Sequence, residues 1–306
     1  MVFHFGMKVA LTTPATLAEL LQGLRPPILI DVRLSEDYEC CHLPGASNNC
    51  VFEVAFTERM PAIAPDLSAP VCLYGAGEGS LESRMATEKL LRLGYTAVHE
   101  LEGGIAAWRD AGLPVEESPA PKAPVLFDGK YRIDLGESRI QWTGRNLLNH
   151  HTGRIAMKSG ELIITGGQLA GGSFVIDMAS ITCDDLAGNS LHDVLIRHLC
   201  DHDFFDTGLF PEATFEITSA GPVEGGTPGA PNLHVSGKLT LKGVTAPLDL
   251  LASAGITNKG KPAAQATLSF DRTLWNVLYG SGKWFHHLGG HLVNDLIELH
   301  LRIVAE

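Results

Sequence analysis

Strict alternation of apolar and polar residues characterises the C-terminal half of this 306-residue chain. In residues 297–303 every second residue is Ile or Leu, with Glu, His or Arg between them, and residues 235–241 alternate in the same way. Successive side chains of a strand point to opposite faces of the sheet, so each of these strands has one dry and one wet face. The pattern predicts an antiparallel β-barrel whose interior accepts an apolar ligand or its own side chains.

The N-terminal half follows a different pattern, in which short apolar runs alternate with helical segments. Residues 28–32 (ILIDV) and 71–74 (VCLY) are typical of buried parallel strands. Residues 14–24 and 81–93 have the apolar spacing of helices. This half is therefore predicted to be an α/β domain.

A Pro-rich segment separates the two patterns. Pro119, Pro121 and Pro124 favour an extended polyproline spacer between them. We therefore predict an α/β domain over residues 1–116, a Pro-rich linker over 117–129 and a barrel over 130–306. One short helix is predicted near residues 191–199, with Asn189 or Ser190 as its cap.

Charge and composition exclude several classes of partner. The formal net charge of −12 argues against a nucleic-acid partner and against docking on anionic membranes. The N-terminus lacks the basic and apolar regions of a secretory signal, and no run approaches the roughly 18 apolar residues of a spanning helix. Six cysteines without CxxC spacing favour free thiols in a reducing compartment. We expect a cytoplasmic protein without stable membrane insertion.

Three motifs of the C-terminal half resemble the YceI-like family of lipid-binding barrels. They are, in order, residues 131–144 (YRIDLGESRIQWTG), 198–215 (HLCDHDFFDTGLFPEATF) and 235–248 (VSGKLTLKGVTAPL). The resemblance implies a lipocalin-like barrel with a short closing helix that holds one long apolar molecule, such as an isoprenoid or a fatty-acid derivative. Barrels of this family often pair, which implies a homodimer.

Apolar residues in these motifs are the candidates for the lining of the barrel. Alternating strand positions supply some of them, and the Phe-Phe pair is expected on the closing helix. The candidates are Phe204, Phe205, Phe215, Leu239, Leu241, Leu299 and Leu301. The alternative is that these side chains pack against one another as ordinary core.

Six blocks of the N-terminal half resemble the rhodanese (sulfurtransferase) family. They occur in the family's order at residues 30–33 (IDVR), 36–38 (EDY), 42–46 (HLPGA), 101–104 (LEGG), 107–108 (AW) and 112–115 (GLPV). The resemblance implies that the loop after VCLY should open with a nucleophilic cysteine, held as a thiolate by the N–H groups of the loop.

That loop consists of Gly75, Ala76, Gly77, Glu78, Gly79 and Ser80, with Gly75 at the position of the nucleophile. The carboxylate of Glu78 would also repel an anionic sulfur donor. We therefore interpret the domain as a catalytically silent binding or docking module whose loop could still accept a small anion. A weaker alternative is sulfur transfer through Cys72 or Cys41.

Histidines are numerous in the C-terminal half. His198 and His202 are four residues apart, which places both on one face if they belong to one helix. Together with His151 and His287 they could hold zinc or iron. Alternatively, His151 and His198 could bind the polar head of a lipid.

The sequence therefore predicts a carrier that sequesters an isoprenoid or acyl chain and has no catalytic residues of its own. The rival hypothesis is a metal-dependent enzyme inside the barrel, with Asp203 or Asp295 as a base.

Overall fold

The computed structural model describes residues 9–119 and 125–306 of the chain. The chain divides into two compact units, Met1–Ala123 and Pro124–Glu306. The Pro-rich linker predicted over residues 117–129 falls in part on residues 120–124, which lie outside the described residues. Its limits stay a prediction.

The N-terminal unit alternates strands and helices along the chain. Its strands are β1 (Ala10–Thr12), β2 (Ile28–Asp31), β3 (Cys41–His42), β4 (Ser47–Asn48), β5 (Val71–Tyr74), β6 (Val98–Leu101) and β7 (Glu116–Glu117). Its helices are α1 (Pro14–Leu21), α2 (Ser35–Cys40), α3 (Phe56–Ile63), α4 (Glu82–Leu93) and α5 (Gly104–Asp110). The helices predicted at residues 14–24 and 81–93 are present as α1 and α4.

A five-stranded parallel sheet in the order β1-β6-β5-β2-β4 forms the centre of this unit. Apolar clusters cover both of its faces. Ile30 and Leu73 lie in one cluster, and Leu29, Cys72 and Tyr74 lie in the other. Burial on both faces explains why the central strands are continuous apolar runs. The predicted α/β architecture is confirmed.

The C-terminal unit consists mainly of long strands. They are β8 (Gly129–Arg132), β9 (Arg139–Asn146), β10 (His150–Thr165), β11 (Gln168–Asp177), β12 (Glu212–Pro222), β13 (Leu233–Leu241), β14 (Val244–Ile256), β15 (Pro262–Asp271) and β16 (Val293–Val304). The helix α6 (His192–Cys200) and three short 3₁₀ helices (Met178–Ser180, Arg272–Trp275 and Gly289–His291) lie between strands.

Eight of these strands, β9 to β16, close into an antiparallel barrel. Each strand from β11 to β16 pairs with the next, β16 pairs with β9, and β9 pairs with β10. The pairing of β10 with β11 completes the ring. Closure leaves no free edge among the eight strands, and it confirms the predicted antiparallel barrel.

Side chains fill part of the barrel interior. Trp275 is almost fully buried and donates its indole N–H to the carbonyl oxygen of Leu239 at 2.8 Å. The guanidinium of the fully buried Arg272 donates to three backbone carbonyl oxygens within residues 277–294. These bonds satisfy polar groups that would otherwise destabilise the core.

Helix α6 differs in two details from the sequence prediction. Its N-cap is Leu191, which makes no side-chain hydrogen bond to the helix, and the Asn189 side chain accepts a hydrogen bond at 2.9 Å from the N–H of Leu191, just before the helix begins. The helix ends at Cys200, because Asp201 has extended backbone angles. Phe204 and Phe205 therefore lie in the turn after the helix and not on it. Among the helices in the described residues, none combines the length and apolar character needed to cross a bilayer.

Candidate functional site

The barrel encloses a cavity of about 560 Å³ with a predominantly apolar wall. All eight barrel strands contribute to the wall, because inward positions alternate with outward positions along every strand. One wall residue from each strand, in chain order, is Trp142, Ile155, Phe174, Phe215, Leu239, Leu248, Leu268 and Leu299. The interior thus contains both packed side chains and open volume.

All nine residues predicted to contact a ligand lie along the wall of this cavity. They are His151, His198, Phe204, Phe205, Phe215, Leu239, Leu241, Leu299 and Leu301. On β16, Leu299 and Leu301 line the cavity, whereas Glu298, which precedes Leu299, is not in the wall and pairs with Arg145. Their contact with a bound molecule stays a prediction.

Several wall residues were missed by the sequence analysis. Met178 and Ile181 follow β11 in segments without strand periodicity, and no sequence signal marks them. Trp142 does have a signal, since it alternates with Ile140 on β9. Within the part of the chain that the structure describes, the buried indole N–H of Trp142 has no hydrogen-bond partner. It is therefore an unsatisfied donor within the barrel wall.

His151 is held by polar contacts at the start of β10. Its Nδ1 lies 2.9 Å from Oδ2 of Asp185, whose Oδ1 accepts hydrogen bonds from the backbone N–H of Thr152 at 2.7 Å and from the Cys183 thiol at 3.3 Å. Burial acts to raise the pKa of Asp185, but the bonds from Thr152, His151 and Cys183 lower it to about 2. Asp185 is therefore a carboxylate at neutral pH.

His198 lies on α6 between aromatic rings. Its ring centroid is 4.4 Å from that of Tyr279 and 5.7 Å from that of Phe204, both in edge-to-face arrangements. This packing orients the imidazole in the cavity wall. His151 and His198 thus contribute two imidazoles to one cavity.

The other two histidines of the predicted metal set lie elsewhere. Because α6 ends at Cys200, the four-residue spacing of His198 and His202 does not place them on one helical face. His202 is exposed and pairs with Asp201, which raises its pKa. His287 is exposed in the segment before β16. Neither belongs to the cavity wall, so the structure does not bring the four histidines together.

The two carboxylates considered as bases also lie outside the wall. Asp295 forms ion pairs with Lys283 at 3.3 Å and Arg272 at 3.8 Å. Asp203 follows α6 and has one buried oxygen without a partner in the described residues. The wall residues that the structure describes include no Asp or Glu. This arrangement offers no carboxylate base to a molecule in the cavity.

The loop over residues 75–80 of the N-terminal unit is contacted by the carboxylate of Glu82, whereas the sequence analysis considered that of Glu78. Glu78 is exposed, whereas Oε2 of Glu82 accepts a hydrogen bond from the Ala76 N–H at 3.3 Å. A Cβ atom added to Gly75 would lie 2.6 Å from this oxygen. Glu82 stands in the first turn of α4, where acidic residues are favoured, and this was the signal that could have identified it.

The two cysteines considered as displaced nucleophiles are buried. Burial, followed by the nearby charge of Glu100, raises the pKa of Cys72 to about 12. Burial likewise raises the pKa of Cys41. Both side chains are therefore thiols at neutral pH, and the thiolate is the reactive form of cysteine.

Comparison with known protein families adds evidence for both units. The family model of the YceI-like domain matches residues 131–305, which is more than half of the chain. The chain belongs to the YceI-like family. A second model, of the rhodanese-like domain, matches residues 13–111. The protein is thus a rhodanese-like domain followed by a YceI-like barrel.

Individual relatives match one domain at a time. The adenylyltransferase and sulfurtransferase UBA4 of Candida albicans is 31% identical over 107 residues, which are 32% of this chain and 23% of that protein. The chain therefore spans less than a quarter of the length of this curated relative. Two solved structures resemble the YceI-like barrel, and each is covered almost completely.

The first is BcnA of Burkholderia cenocepacia, with 21% identity, a TM-score of 0.45, and coverage of 57% of this chain and 99% of that one. The second is a polyisoprenoid binding domain from Saccharophagus degradans, with 16% identity, a TM-score of 0.43, and coverage of 57% of this chain and 97% of that one.

Proposed function

We propose that the YceI-like barrel binds one long apolar molecule, an isoprenoid or an acyl chain, and carries or sequesters it. The observation that supports this function is the cavity of about 560 Å³, whose apolar wall is built by all eight strands. This volume lies within the range of roughly 300–1,000 Å³ that is typical of ligand sites. Each buried methylene group contributes about 0.8 kcal/mol, so a long chain binds tightly without directional contacts.

Polar groups in the wall favour a ligand with an oxygen-bearing head. The N–H of Trp142 is buried without a partner among the described residues, and a ligand oxygen would satisfy it. Trp142 on β9 and His151 on β10 point inward from neighbouring strands, two residues apart in register. His198 adds a second imidazole. We propose that these three side chains bind the polar end of the molecule.

The compartment and the assembly belong to the same proposal. All six cysteines are free, which favours a reducing compartment such as the cytoplasm. The net charge of −12 disfavours a nucleic-acid partner. We also propose a homodimer formed through the barrel, because barrels of the YceI-like family often pair.

We expect the purified chain to retain an apolar ligand. Organic extraction should release a prenyl or acyl compound, and adding such chains to extracted, refolded protein should raise its melting temperature, because ligands that bind only the folded state stabilise it. If repeated extraction yields no apolar compound and neither type of chain shifts the melting temperature, the carrier function is wrong.

We further propose that the rhodanese-like domain is a docking module without sulfur-transfer activity. Its loop has Gly75 in place of the nucleophile, and the Glu82 carboxylate already accepts the hydrogen bond that the Ala76 N–H donates. The buried thiols of Cys72 and Cys41 are poor substitutes because both have raised pKa values. A domain of this shape without a nucleophile can still present its surface to a partner.

A pair of variants tests this interpretation of the loop. The wild type should show no thiosulfate:cyanide sulfurtransferase activity, and Gly75→Cys should show little, because the Glu82 carboxylate opposes a thiolate there. Adding Glu82→Gln removes that charge and should increase the activity of the Gly75→Cys variant about tenfold, as expected if the thiol pKa falls by one unit.

The matched control is Gly75→Cys with Glu78→Gln, since Glu78 is exposed and should change the activity little. If both double variants increase the sulfurtransferase activity of Gly75→Cys equally, the charge of Glu82 is not the cause of its low activity. Wild-type activity that disappears in Cys72→Ala would contradict the docking interpretation itself.

A further inference from the structure

Three different metal-ligand side chains converge beside the cavity, in a group that shares only His151 with the predicted histidine set. His151, Cys183 and Asp185 each offer a ligand atom, and the three atoms lie within 4.8 Å of one another. His151 also belongs to the cavity wall, whereas Cys183 is buried behind it. The group thus lies at the boundary between the barrel wall and the segment that follows β11.

The backbone holds this group in place. Residues 182–185 run beside the start of β10, with the Thr182 N–H donating to the Arg154 carbonyl at 2.9 Å and the Asp184 N–H donating to the Thr152 carbonyl at 2.7 Å. These bonds do not involve any of the three side chains that carry the ligand atoms. The arrangement is therefore fixed by the fold, which lowers the cost of ordering the ligands when a metal binds.

The distances within the group fit a small tetrahedral metal ion. In a tetrahedral zinc site, bond lengths of about 2.0 Å to N or O and 2.3 Å to S place N and O ligands about 3.3 Å apart and S and O ligands about 3.5 Å apart. Here His151 Nδ1 and Asp185 Oδ2 are 2.9 Å apart, Cys183 Sγ and Asp185 Oδ1 are 3.3 Å apart, and all three ligand atoms lie within 4.8 Å of one another. Rotation of the Asp185 carboxylate and small side-chain shifts would admit the ion.

The donor set also selects the metal. A thiolate and an imidazole favour zinc over magnesium or calcium, which prefer oxygen ligands. We propose that His151, Cys183 and Asp185 form a zinc site in the barrel wall, with its fourth position left to water or to the polar end of a molecule in the cavity. Binding releases the Cys183 thiol proton to solvent, and the neutral His151 imidazole coordinates through Nδ1 while its one N–H proton sits on Nε2. This proposal does not depend on the carrier function.

Cobalt(II) is the probe that tests the site. The full chain, purified without a His tag and stripped with chelator, should bind one equivalent of Co²⁺. Binding should produce a thiolate-to-cobalt charge-transfer band and the visible bands of tetrahedral cobalt, and Zn²⁺ should displace both. Cys183→Ser should lose the charge-transfer band. His151→Gln and Asp185→Asn should keep the thiol but weaken Co²⁺ binding by at least tenfold.

Cys200→Ser is the matched control, because Cys200 is a half-buried thiol on α6 that is outside the group. It should bind cobalt like the wild type. The proposal is overturned if the wild type shows no charge-transfer band, if the band survives Cys183→Ser, or if folded His151→Gln and Asp185→Asn bind Co²⁺ unchanged. Circular dichroism of each variant shows whether a loss of metal binding reflects a loss of fold. If Cys183→Ser does not fold, cobalt binding by His151→Gln and Asp185→Asn still tests the site.

Discussion

A tryptophan in place of Ala266 should nearly abolish binding of the apolar ligand while leaving the barrel folded. Ala266 lies in the cavity wall on β15, and its small side chain leaves the space in front of it open. An indole ring there would displace part of the ligand chain. Displacing four methylene groups costs about 3 kcal/mol, which corresponds to roughly a 200-fold loss of affinity. Titration with a fluorescent fatty acid measures this loss.

Ser269→Trp is the control for this prediction. Ser269 lies on the same strand with the opposite orientation, exposed and outside the cavity wall. The same indole there should leave affinity within about a factor of two of the wild type, because it adds no volume to the cavity. If folded Ala266→Trp binds the probe as tightly as Ser269→Trp, then the probe is held outside this cavity.

Replacement of Gly153 by alanine should have the largest effect on stability. A Cβ atom at Gly153 would lie 1.8 Å from the carbonyl oxygen of Thr182 and 2.8 Å from the indole of Trp142. The first of these is a backbone atom, so β10 and residues 182–185 must separate. We expect the free energy of unfolding to fall by about 3 kcal/mol, at the upper end of the usual cost of overpacking, because backbone atoms must move here. Urea denaturation followed by tryptophan fluorescence measures it.

Gly144 offers a matched control on the neighbouring strand. A Cβ atom there would be 3.7 Å from its nearest neighbour, which is an ordinary contact. Gly144→Ala should therefore change stability by less than about 1 kcal/mol. The two variants should also differ in cobalt binding, because only Gly153→Ala pushes Cys183 and Asp185 away from His151. If the two variants are equally stable, residues 182–185 do not approach Gly153 of β10 as closely as described.

Much of the fold could be predicted from the sequence, because each half has a clear period. Alternation in residues 235–241 and 297–303 predicts one dry face per strand, and closure of the barrel makes that face an interior. The runs at residues 28–32 and 71–74 are apolar throughout because apolar clusters cover both faces of their sheet. The same periodicity identified Leu239, Leu241, Leu299 and Leu301 as wall residues.

Contacts that depend on the end of an element or on a distant segment could not be predicted in this way. His198 and His202 have helical spacing, but α6 ends between them, and only the backbone angles of Asp201 show it. Cys183 and Asp185 lie more than 30 residues from His151, and they meet it because Gly153 lets the two segments approach closely. Glu82 reaches the loop only because α4 begins directly beside it.

Native mass spectrometry of the full chain as isolated tests whether the barrel carries an apolar ligand, because it weighs the folded protein together with anything bound to it. We expect a folded species heavier than the chain by the mass of one prenyl or acyl compound. Denaturation should release this compound into an organic phase, and the extra mass should be absent from Ala266→Trp. A folded species with the mass of the chain alone, or of the chain with metal alone, that takes up no added prenyl or acyl compound would show that the barrel is not a carrier of such chains.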